Sequence, residues 1–388
     1  MKRVVILCVW LFSVVAGHAQ LSLDECRRLA RENYPEIRQY DLVHQTEQYN
    51  LSNAARAWIP QLAFSAQATW QTDAPNFPKE LTGMLAQQGL EIPGLRKDQY
   101  KVALELNQTI WDGGKSVADK RIARAEAAEQ KTMTDVDLYE LEGRVDDLYF
   151  GILLLDERIA QTNLTLNLLR SNLEKVRALQ RNGVAMQSDA DVLEAELLSV
   201  GQQLIQFESS CDSYRRMLGI FIGQKVGDRK LQHPSAVQPL SGESARPELA
   251  MFAAKIDRLT AQEKMVKSSS MPRLGFFAQG YYGYPGLDYM QSMMNNDWSW
   301  NAMLGVKLSW NFGAYYTQKN NLNKLRTSRQ QVEVQRDVFL FNMNLQAAQE
   351  NGDIARLRKA IADDDRIVAL RRSVREAAES KLRNGIID

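Results

Sequence analysis

Four short segments of the chain alternate between apolar and polar residues with a period of two. They cover residues 62–71, 99–110, 274–282 and 298–310. In the last segment Leu304 and Leu308 fall on the apolar face, whereas Asn301 and Lys307 fall on the polar one. Successive side chains of a β-strand point to opposite faces, so this pattern predicts four two-faced strands.

A heptad pattern runs through residues 138–176. Apolar residues recur there at alternating steps of three and four, interrupted only by Thr162, which is typical of a left-handed coiled coil. The surrounding segment 115–181 contains no proline, so we predict one helix about 100 Å long. Shorter helices over 36–58 and 188–220 together nearly match its length and are its predicted partners.

Short landmarks occur twice in the same order, which predicts a duplicated architecture. The pairs are 34–37 with 246–249, 59–62 with 271–274, 111–114 with 310–313, and 181–184 with 383–386. We therefore expect a first structural repeat over 20–223, a linker over 224–245 and a second repeat over 246–388. The second repeat ends soon after Gly385, where the first continues with another helix, so we expect it to be incomplete.

Residues 1–19 have the form of a secretory signal peptide. A basic start at Lys2 and Arg3 precedes an apolar run that ends in small residues. Removal of this segment leaves 46 basic and 47 acidic residues, a net charge of −1. That balance indicates neither a nucleic-acid partner nor a polybasic membrane anchor. The mature sequence has no run of about 18 apolar residues, so any membrane insertion must use strands.

The tryptophans of the mature sequence all lie on the predicted strands or within four residues of them. Aromatic rings at strand ends are typical of a membrane–water boundary. We predict that five of them contact this interface: Trp70, Trp111, Trp298, Trp300 and Trp310. The strand pattern alone also suits a half-buried soluble sheet, although such a sheet would place large aromatic residues in mid-strand.

Four strands cannot close a membrane barrel, and open edges are not tolerated in lipid. Single-chain membrane barrels begin at about eight strands, so several copies would have to pool their strands. Three copies would supply twelve. The loops 72–98 and 283–297 would then face the cell exterior.

At this point the sequence resembles the TolC-like outer-membrane efflux and secretion channels of Gram-negative bacteria. The resemblance rests on these motifs: SLDEC at 22–26, NYPE at 33–36, IPQL at 59–62, WDGG at 111–114, NGV at 182–184 and DVLEAE at 191–196. It implies a mainly α-helical homotrimer with a twelve-stranded β-barrel in the outer-membrane lipid and a helical tunnel across the periplasm. Its partners would be a periplasmic adaptor protein and an inner-membrane pump, either proton-driven or ATP-binding, in an efflux or type I secretion pathway.

The resemblance also implies two kinds of site. The turns that would dock on the adaptor are Asn182, Gly183, Val184 and Ala185, with Asn384, Gly385, Ile386 and Ile387. The acids that would narrow the tunnel are Asp189, Asp191 and Glu194, and the motif alignment leaves open whether Asp189 or Asp191 is the main one. Plain alternatives are a simple helix connection for the turns and an ordinary acidic helix start for the carboxylates.

The sequence offers little support for catalysis or for a bound cofactor. Only His44 and His233 remain in the mature chain, and no phosphate-binding glycine loop, nucleophile elbow or zinc-ligand spacing is present. Cys26 and Cys211 could form a disulfide or remain buried thiols. A periplasmic adaptor is the alternative function, because adaptors also carry long helical hairpins, but it should have one hairpin rather than two.

Overall fold

The computed structural model describes residues 20–90, 92–234 and 246–383, and the chain is mainly helical with one small sheet. The helices are α1 (Leu23–Asn33), α2 (Gln39–Arg56), α3 (Lys79–Gln87), α4 (Lys115–Arg181), α5 (Gln187–Ile222), α6 (Pro247–Ser268), α7 (Tyr289–Asn295) and α8 (Ala314–Arg383). The strands are β1 (Gln61–Trp70), β2 (Asp98–Trp111), β3 (Arg273–Tyr284) and β4 (Ser299–Ser309). The expected signal peptide, residues 235–245 of the expected linker and the second expected docking turn (384–387) lie outside the described residues.

The described residues form two compact units. The first takes in those up to Ala54 together with Ala123–Ala254, and the second takes in Ala55–Ile122 and those from Lys255 onwards. The order helix, strand, strand, long helix occurs twice, from α2 to α4 and from α6 to α8. None of the described helices combines the length and the hydrophobicity that crossing a membrane requires.

The first unit is built on the heptad seam of α4. Most of its predicted positions are buried: Leu138, Leu141, Val145, Leu148, Ile152, Thr162, Leu166 and Leu173. Thr162, the one polar member, donates its hydroxyl to the Arg158 carbonyl at 2.7 Å. This back-bond satisfies the hydroxyl inside the helix itself, which explains why a threonine is tolerated in an apolar seam.

Helix α1 packs into the same core. Ser22 caps its first turn by accepting a hydrogen bond from the Glu25 amide at 3.3 Å. Cys26 and Ala30 face inward and are fully buried. On the solvent side, Arg27 donates two hydrogen bonds to the Asp146 carboxylate of α4, at 2.7 and 2.5 Å. The helix is therefore held by an apolar face and a bidentate ion pair together.

Two chain segments meet at the buried Tyr149 of α4. Leu21 and Leu231 form a parallel β-bridge, and both are buried. The Tyr149 hydroxyl lies 2.7 Å from the Leu21 carbonyl and 2.6 Å from the Gln232 carbonyl, so it donates to one while remaining close to the other. Burial raises the pKa of Tyr149 to about 12. This neutral hydroxyl therefore holds the segment before α1 and the segment after α5 against one helix.

Cys26 and Cys211, the two cysteines within the described residues, are buried free thiols. Burial, with a smaller contribution from Glu25, raises the pKa of Cys26 to about 12. Cys211 accepts from Arg215 at 3.3 Å, and Arg215 also donates to the Gly227 and Arg229 carbonyls at 2.8 and 3.0 Å. Cys211 is thus part of an arginine-centred anchor for the chain that follows α5.

The second unit contains an antiparallel sheet with strand order β1-β2-β3-β4. The register of β2 with β3 is regular up to Thr109 and shifts only between Thr109 and Trp111, so Gln108 keeps its place opposite Phe276. Its side-chain amide donates to the Trp58 carbonyl at 2.7 Å. This hydrogen bond gives the Gln108 amide a backbone partner, which explains how a polar side chain is tolerated at this position of β2.

The junction between β2 and α4 explains the WDGG motif. The Asp112 carboxylate accepts from the amides of Gly114 and Ser116, at 2.9 and 2.6 Å. Gly113 has φ of +71°, and a Cβ there would lie 2.7 Å from Cβ of Met271. Only glycine fits this position without strain, so the motif encodes a sharp, capped entry into a helix.

The two strand connections contain more structure than the sequence predicts. We expected irregular loops over 72–98 and 283–297, but α3 lies in the first and α7 in the second. The Asp288 carboxylate caps α7 by accepting from the Gln291 amide at 3.0 Å. Short helices of this kind carry too few residues to show a period, which is why the pattern missed them.

Candidate functional site

The apolar face of the sheet is exposed along its length. Its members alternate with polar residues on all four strands, and among the most exposed are Leu62, Phe64, Trp300, Leu304, Val306 and Leu308. Leu304, at the middle of β4, is 76% exposed. β1 and β4 form the two edges of the sheet. An apolar face of this size on a sheet with two edges needs an apolar solvent or a partner.

Aromatic residues lie at both ends of this apolar face. At the end near α7, Trp298 stacks on Tyr100 at 5.6 Å and contacts Tyr282 at 5.4 Å, and Tyr282 contacts Trp300 at 5.0 Å. Trp70 is at the same end by register. Tyr100 and Tyr282 therefore belong to the same aromatic group as the expected interface tryptophans. Their positions on the apolar face of the alternating pattern were a signal from which they could have been predicted.

The remaining two predicted tryptophans, Trp111 and Trp310, are at the opposite end of the strands, where the long helices begin. Trp310 donates its indole N–H to the Ser270 carbonyl at 3.0 Å. Both indole rings are about half exposed. An indole with a satisfied N–H and an exposed ring suits the boundary between an apolar and an aqueous medium.

The opposite face of the sheet is polar and carries a cross-strand network. Lys101 donates to Gln279 at 3.1 Å, and Gln279 donates to Glu105 at 2.5 Å. The Lys101 ammonium also lies 4.6 Å from the centre of the Tyr281 ring. Our sequence analysis did not single out these residues, because cross-strand neighbours follow from the register, which the pattern alone does not fix.

A cavity of about 580 Å³, lined by both apolar and charged residues, continues this face towards the helices. Acidic and basic side chains share its wall: Glu105, Asp112, Asp119, Lys115, Arg273 and Lys307. The two faces of one sheet therefore differ in chemistry: one is apolar, and the other carries charged and polar groups together with a few apolar residues such as Phe277 and Met303.

The turn between α4 and α5 is tightly defined. The Gly183 amide donates to the Gln180 carbonyl and the Val184 amide to the Leu179 carbonyl, both at 2.9 Å, and Gly183 has φ of +77°. This is a Schellman motif, in which the glycine takes the left-handed position. Val184 and Met186 are each 73% exposed, whereas Ala185 is half-buried and Asn182 is exposed. Our sequence analysis did not include Met186 among the docking residues, although an apolar residue directly after a turn indicates an exposed contact surface.

The three acids predicted beside this turn have different partners. Asp189 accepts from the Met186 amide at 2.9 Å and so caps α5. Asp191 accepts from the Gln187 side chain at 2.7 Å. Glu194 forms an ion pair with Arg177 of α4 at 2.7 Å. All three are exposed. Asp191 differs from the other two because its partner is a neutral side chain and because it does not cap the helix.

A comparison of the chain with known protein families agrees with the two-faced sheet and the long helices described above. The profile of the outer membrane efflux protein family matches residues 27–223, which is more than half of the chain. The chain belongs to this family. Membership confirms the resemblance noted in the sequence and assigns the protein to the outer membrane and to efflux. No curated protein matches the chain.

Solved structures show the fold of this outer membrane efflux protein. CusC, described as forming a transmembrane channel, aligns with a TM-score of 0.67 at 13% identity, over 95% of this chain and 84% of its own. VceC of Vibrio cholerae gives 0.63 at 15% identity, over 94% and 87%. The open MtrE channel of Neisseria gonorrhoeae gives 0.52 at 14% identity, over 80% and 68%. At such identities the likeness concerns the fold alone.

Proposed function

We propose that this protein is the outer-membrane channel of a tripartite efflux or type I secretion system, a passive conduit across the outer membrane and the periplasm. The observation that carries the proposal is the two-faced sheet, whose apolar face is exposed and whose opposite face bears the Lys101–Gln279–Glu105 network. Lipid suits the first face and a water-filled pore suits the second. The protein itself would carry no catalytic group and no cofactor.

The edge strands support a trimer. In a bilayer, every backbone group of β1 and β4 must be paired, because lipid offers no hydrogen bonds. The sheet is antiparallel throughout, so β1 of one copy can pair with β4 of the next and continue the ladder. Three copies would close twelve strands into one barrel, with the aromatic residues at its two rims and the helices continuing as a periplasmic tunnel.

The first experiment asks where the full-length protein resides and how it assembles. We expect it to fractionate with the outer membrane and to migrate as a trimer that dissociates on heating, as closed barrels are kinetically stable. A periplasmic adaptor would instead be recovered from the periplasm or the inner membrane. Recovery as a water-soluble monomer would disprove the channel.

The turn between α4 and α5 is the proposed docking site for a periplasmic adaptor, which would connect the channel to an inner-membrane pump. Asn182, Gly183, Val184 and Ala185 form it, and 384–387 would form its counterpart in the second repeat. Val184 and Met186 offer two exposed apolar side chains beside a rigid Schellman turn. A partner helix that buried them would gain roughly 1.5–3 kcal/mol for each side chain.

Replacement of Val184 tests this docking. Val184→Trp should reduce transport at least about tenfold while the trimers persist. The bulky ring would block close approach of the partner without touching the barrel. Val184→Ile is the matched control and should transport normally. The measurement is drug or protein export in cells that carry the pump and adaptor, with trimer abundance measured in parallel. Normal export by Val184→Trp would refute the docking role.

We propose that Asp189, Asp191 and Glu194 line the periplasmic constriction and that Asp191 contributes most to it. Arg177 compensates the charge of Glu194, and the Met186 amide engages Asp189. Asp191 retains an uncompensated charge on an exposed helix start. Three such carboxylates around a threefold axis would favour cations and repel anions.

A further inference from the structure

Two basic residues lie close together on the polar face of the sheet, at the end nearer the helices. Arg273 of β3 pairs with Ser309 of β4. Lys307 of β4 pairs with Gly275, two positions further along the same face. Both basic side chains are exposed and line the cavity of about 580 Å³. Within the part of the chain that the structure describes, neither side chain has an ion pair or a hydrogen bond.

The acidic residues of the same cavity, in contrast, are engaged. The Asp119 carboxylate accepts from Lys115 at 2.7 Å, and Glu105 accepts from Gln279 at 2.5 Å. The Asp112 carboxylate accepts from two backbone amides at the start of α4. Among the described residues, the charged groups of this wall that lack a partner are therefore both cations. Charged donors of this kind form their strongest hydrogen bonds with anions.

An apolar surface adjoins the two cations. Phe277 pairs with Gly305 on the same face, and a Cβ at Gly305 would lie 3.0 Å from Cε1 and Cζ of the Phe277 ring. The ring therefore extends across β4, in space that a larger residue at 305 would occupy. Met303 follows on β4 and is 42% exposed. Phe277 and Met303 line the same cavity as the two cations.

The cavity thus has a cationic end and an apolar end. Lys307 and Met303 are four residues apart on β4, a distance of about 14 Å along a strand. The volume of about 580 Å³ falls within the range of small-molecule sites, roughly 300–1,000 Å³. An inorganic anion would leave the aromatic ring uncovered. An organic anion with a flat apolar body would use both ends.

We propose that this cavity is a binding site for an organic anion with an apolar body, such as an aromatic sulfonate or carboxylate. Arg273 and Lys307 would donate to the anionic group, while the Phe277 ring and Met303 contact the apolar body. Binding itself does not depend on the proposed channel. Obstruction of ion flow by the bound anion does rest on that function, because it takes the polar face to be the pore wall.

The first test is equilibrium dialysis of the full-length protein in lipid nanodiscs against radiolabelled naphthalene-2-sulfonate, with empty nanodiscs as background. We expect saturable binding to the wild type. Lys307→Gln should weaken the affinity at least about fivefold, because the sulfonate loses a charged donor. Phe277→Ala should weaken it about threefold or more, because the naphthalene ring loses its aromatic contact.

Lys101→Gln is the matched control for the loss of one positive charge. Lys101 lies on the same face, but it already donates to Gln279 and lies 4.6 Å from the centre of the Tyr281 ring. Its replacement should leave the affinity within about twofold of the wild type, since exposed charges beyond a Debye length are screened. Two competitors test the ligand class: methanesulfonate lacks the apolar body, and 1-naphthylmethylammonium has the opposite charge. Neither should displace the bound sulfonate at equal concentration.

Three results would overturn the proposal. The first is the absence of saturable binding above that of empty nanodiscs. The second is an equal loss of affinity in Lys307→Gln and Lys101→Gln, which would mark a general effect of charge. The third is displacement by either competitor at equal concentration, which would show that the apolar body or the negative charge is not required.

Recordings of ion current through the protein in planar bilayers, in potassium chloride, separate this site from the channel. A current that falls as naphthalene-2-sulfonate is added, and falls less in Lys307→Gln, would support the site and its place on the pore wall. Saturable binding to a protein that forms no pore would refute the channel and leave the site. Pores without binding would refute only the site, and binding without any fall in current would refute the obstruction.

Discussion

The helical core of the first unit and the sheet of the second use the same apolar residue types in opposite ways. Ile152 and Val145 on α4 are fully buried against α1 and α5, whereas Leu304 on β4 is 76% exposed. In the core, apolar side chains avoid solvent by packing on one another. On the sheet most of them lie on the exposed face, and most of the polar residues lie on the other face.

The two regions differ in the medium that surrounds them: the helical core excludes water by itself, whereas the apolar face of the sheet requires lipid or a partner. Burial in the core is worth about 25 cal/mol for each Å² removed from water, and it stabilises the chain by itself. The sheet gains nothing comparable until its outer face meets lipid or a partner. Stability and assembly should therefore respond to different substitutions, and neighbouring residues allow the two effects to be separated.

The largest effect should come from the core. Leu153 is 8% exposed and Leu154, the next residue of α4, is 56% exposed. Leu153→Ala should reduce the free energy of unfolding by about 2–5 kcal/mol, because it leaves a cavity beside Ile152. Leu154→Ala should cost less than about 0.5 kcal/mol. Denaturant unfolding followed by helical circular dichroism measures both, and equal losses would contradict the assigned burial.

A charge on the outer face of the sheet should come next. Leu304→Arg should destabilise the membrane-inserted state by about 2–4 kcal/mol, since this residue would lie near the middle of the bilayer. Met303→Arg, one position away on the polar face, should insert almost normally. Folding into lipid vesicles, followed by the heat-dependent shift on gels, is the readout. The comparison between the two regions would fail if both arginine variants inserted equally well.

The smallest of these effects concerns the buried hydroxyl of Tyr149. Tyr149→Phe should cost about 1–3 kcal/mol of unfolding free energy, because it removes the one hydroxyl proton that is donated to the Leu21 or the Gln232 carbonyl. Tyr139→Phe, on an exposed part of the same helix, should cost less than about 0.5 kcal/mol. We expect the sheet to insert normally in both variants. A defect in membrane insertion for Tyr149→Phe would show that the two regions are coupled after all.

The sequence predicted much of the fold because the strongest signals are periodic. The heptad of α4 predicted which positions are buried, and the alternation along β4 predicted which of its residues share a face. Both follow from local geometry, since a helix returns to the same face every three or four residues and a strand every two. The turn at Asn182 and Gly183 was equally local, because its glycine must take a positive φ.

The candidate site was only partly predictable for the opposite reason. The Lys101–Gln279–Glu105 network joins residues more than 170 positions apart in the chain, and the strand register alone brings them together. The separate roles of Asp189, Asp191 and Glu194 depended on which neighbour each one reached. A pattern of residue types does not contain these distances.

By itself, then, the sequence determined the two-faced strands, the long helices and the family to which they belong, because each is written in periods and short motifs within one segment. Only the tertiary structure decided that Tyr149 holds two chain segments, that Gln108 bonds to the Trp58 carbonyl, and that the segment after Tyr284 turns onto the polar face. Those features arise from side chains that meet across large separations in sequence, where packing and hydrogen-bond geometry, rather than periodicity, select one arrangement.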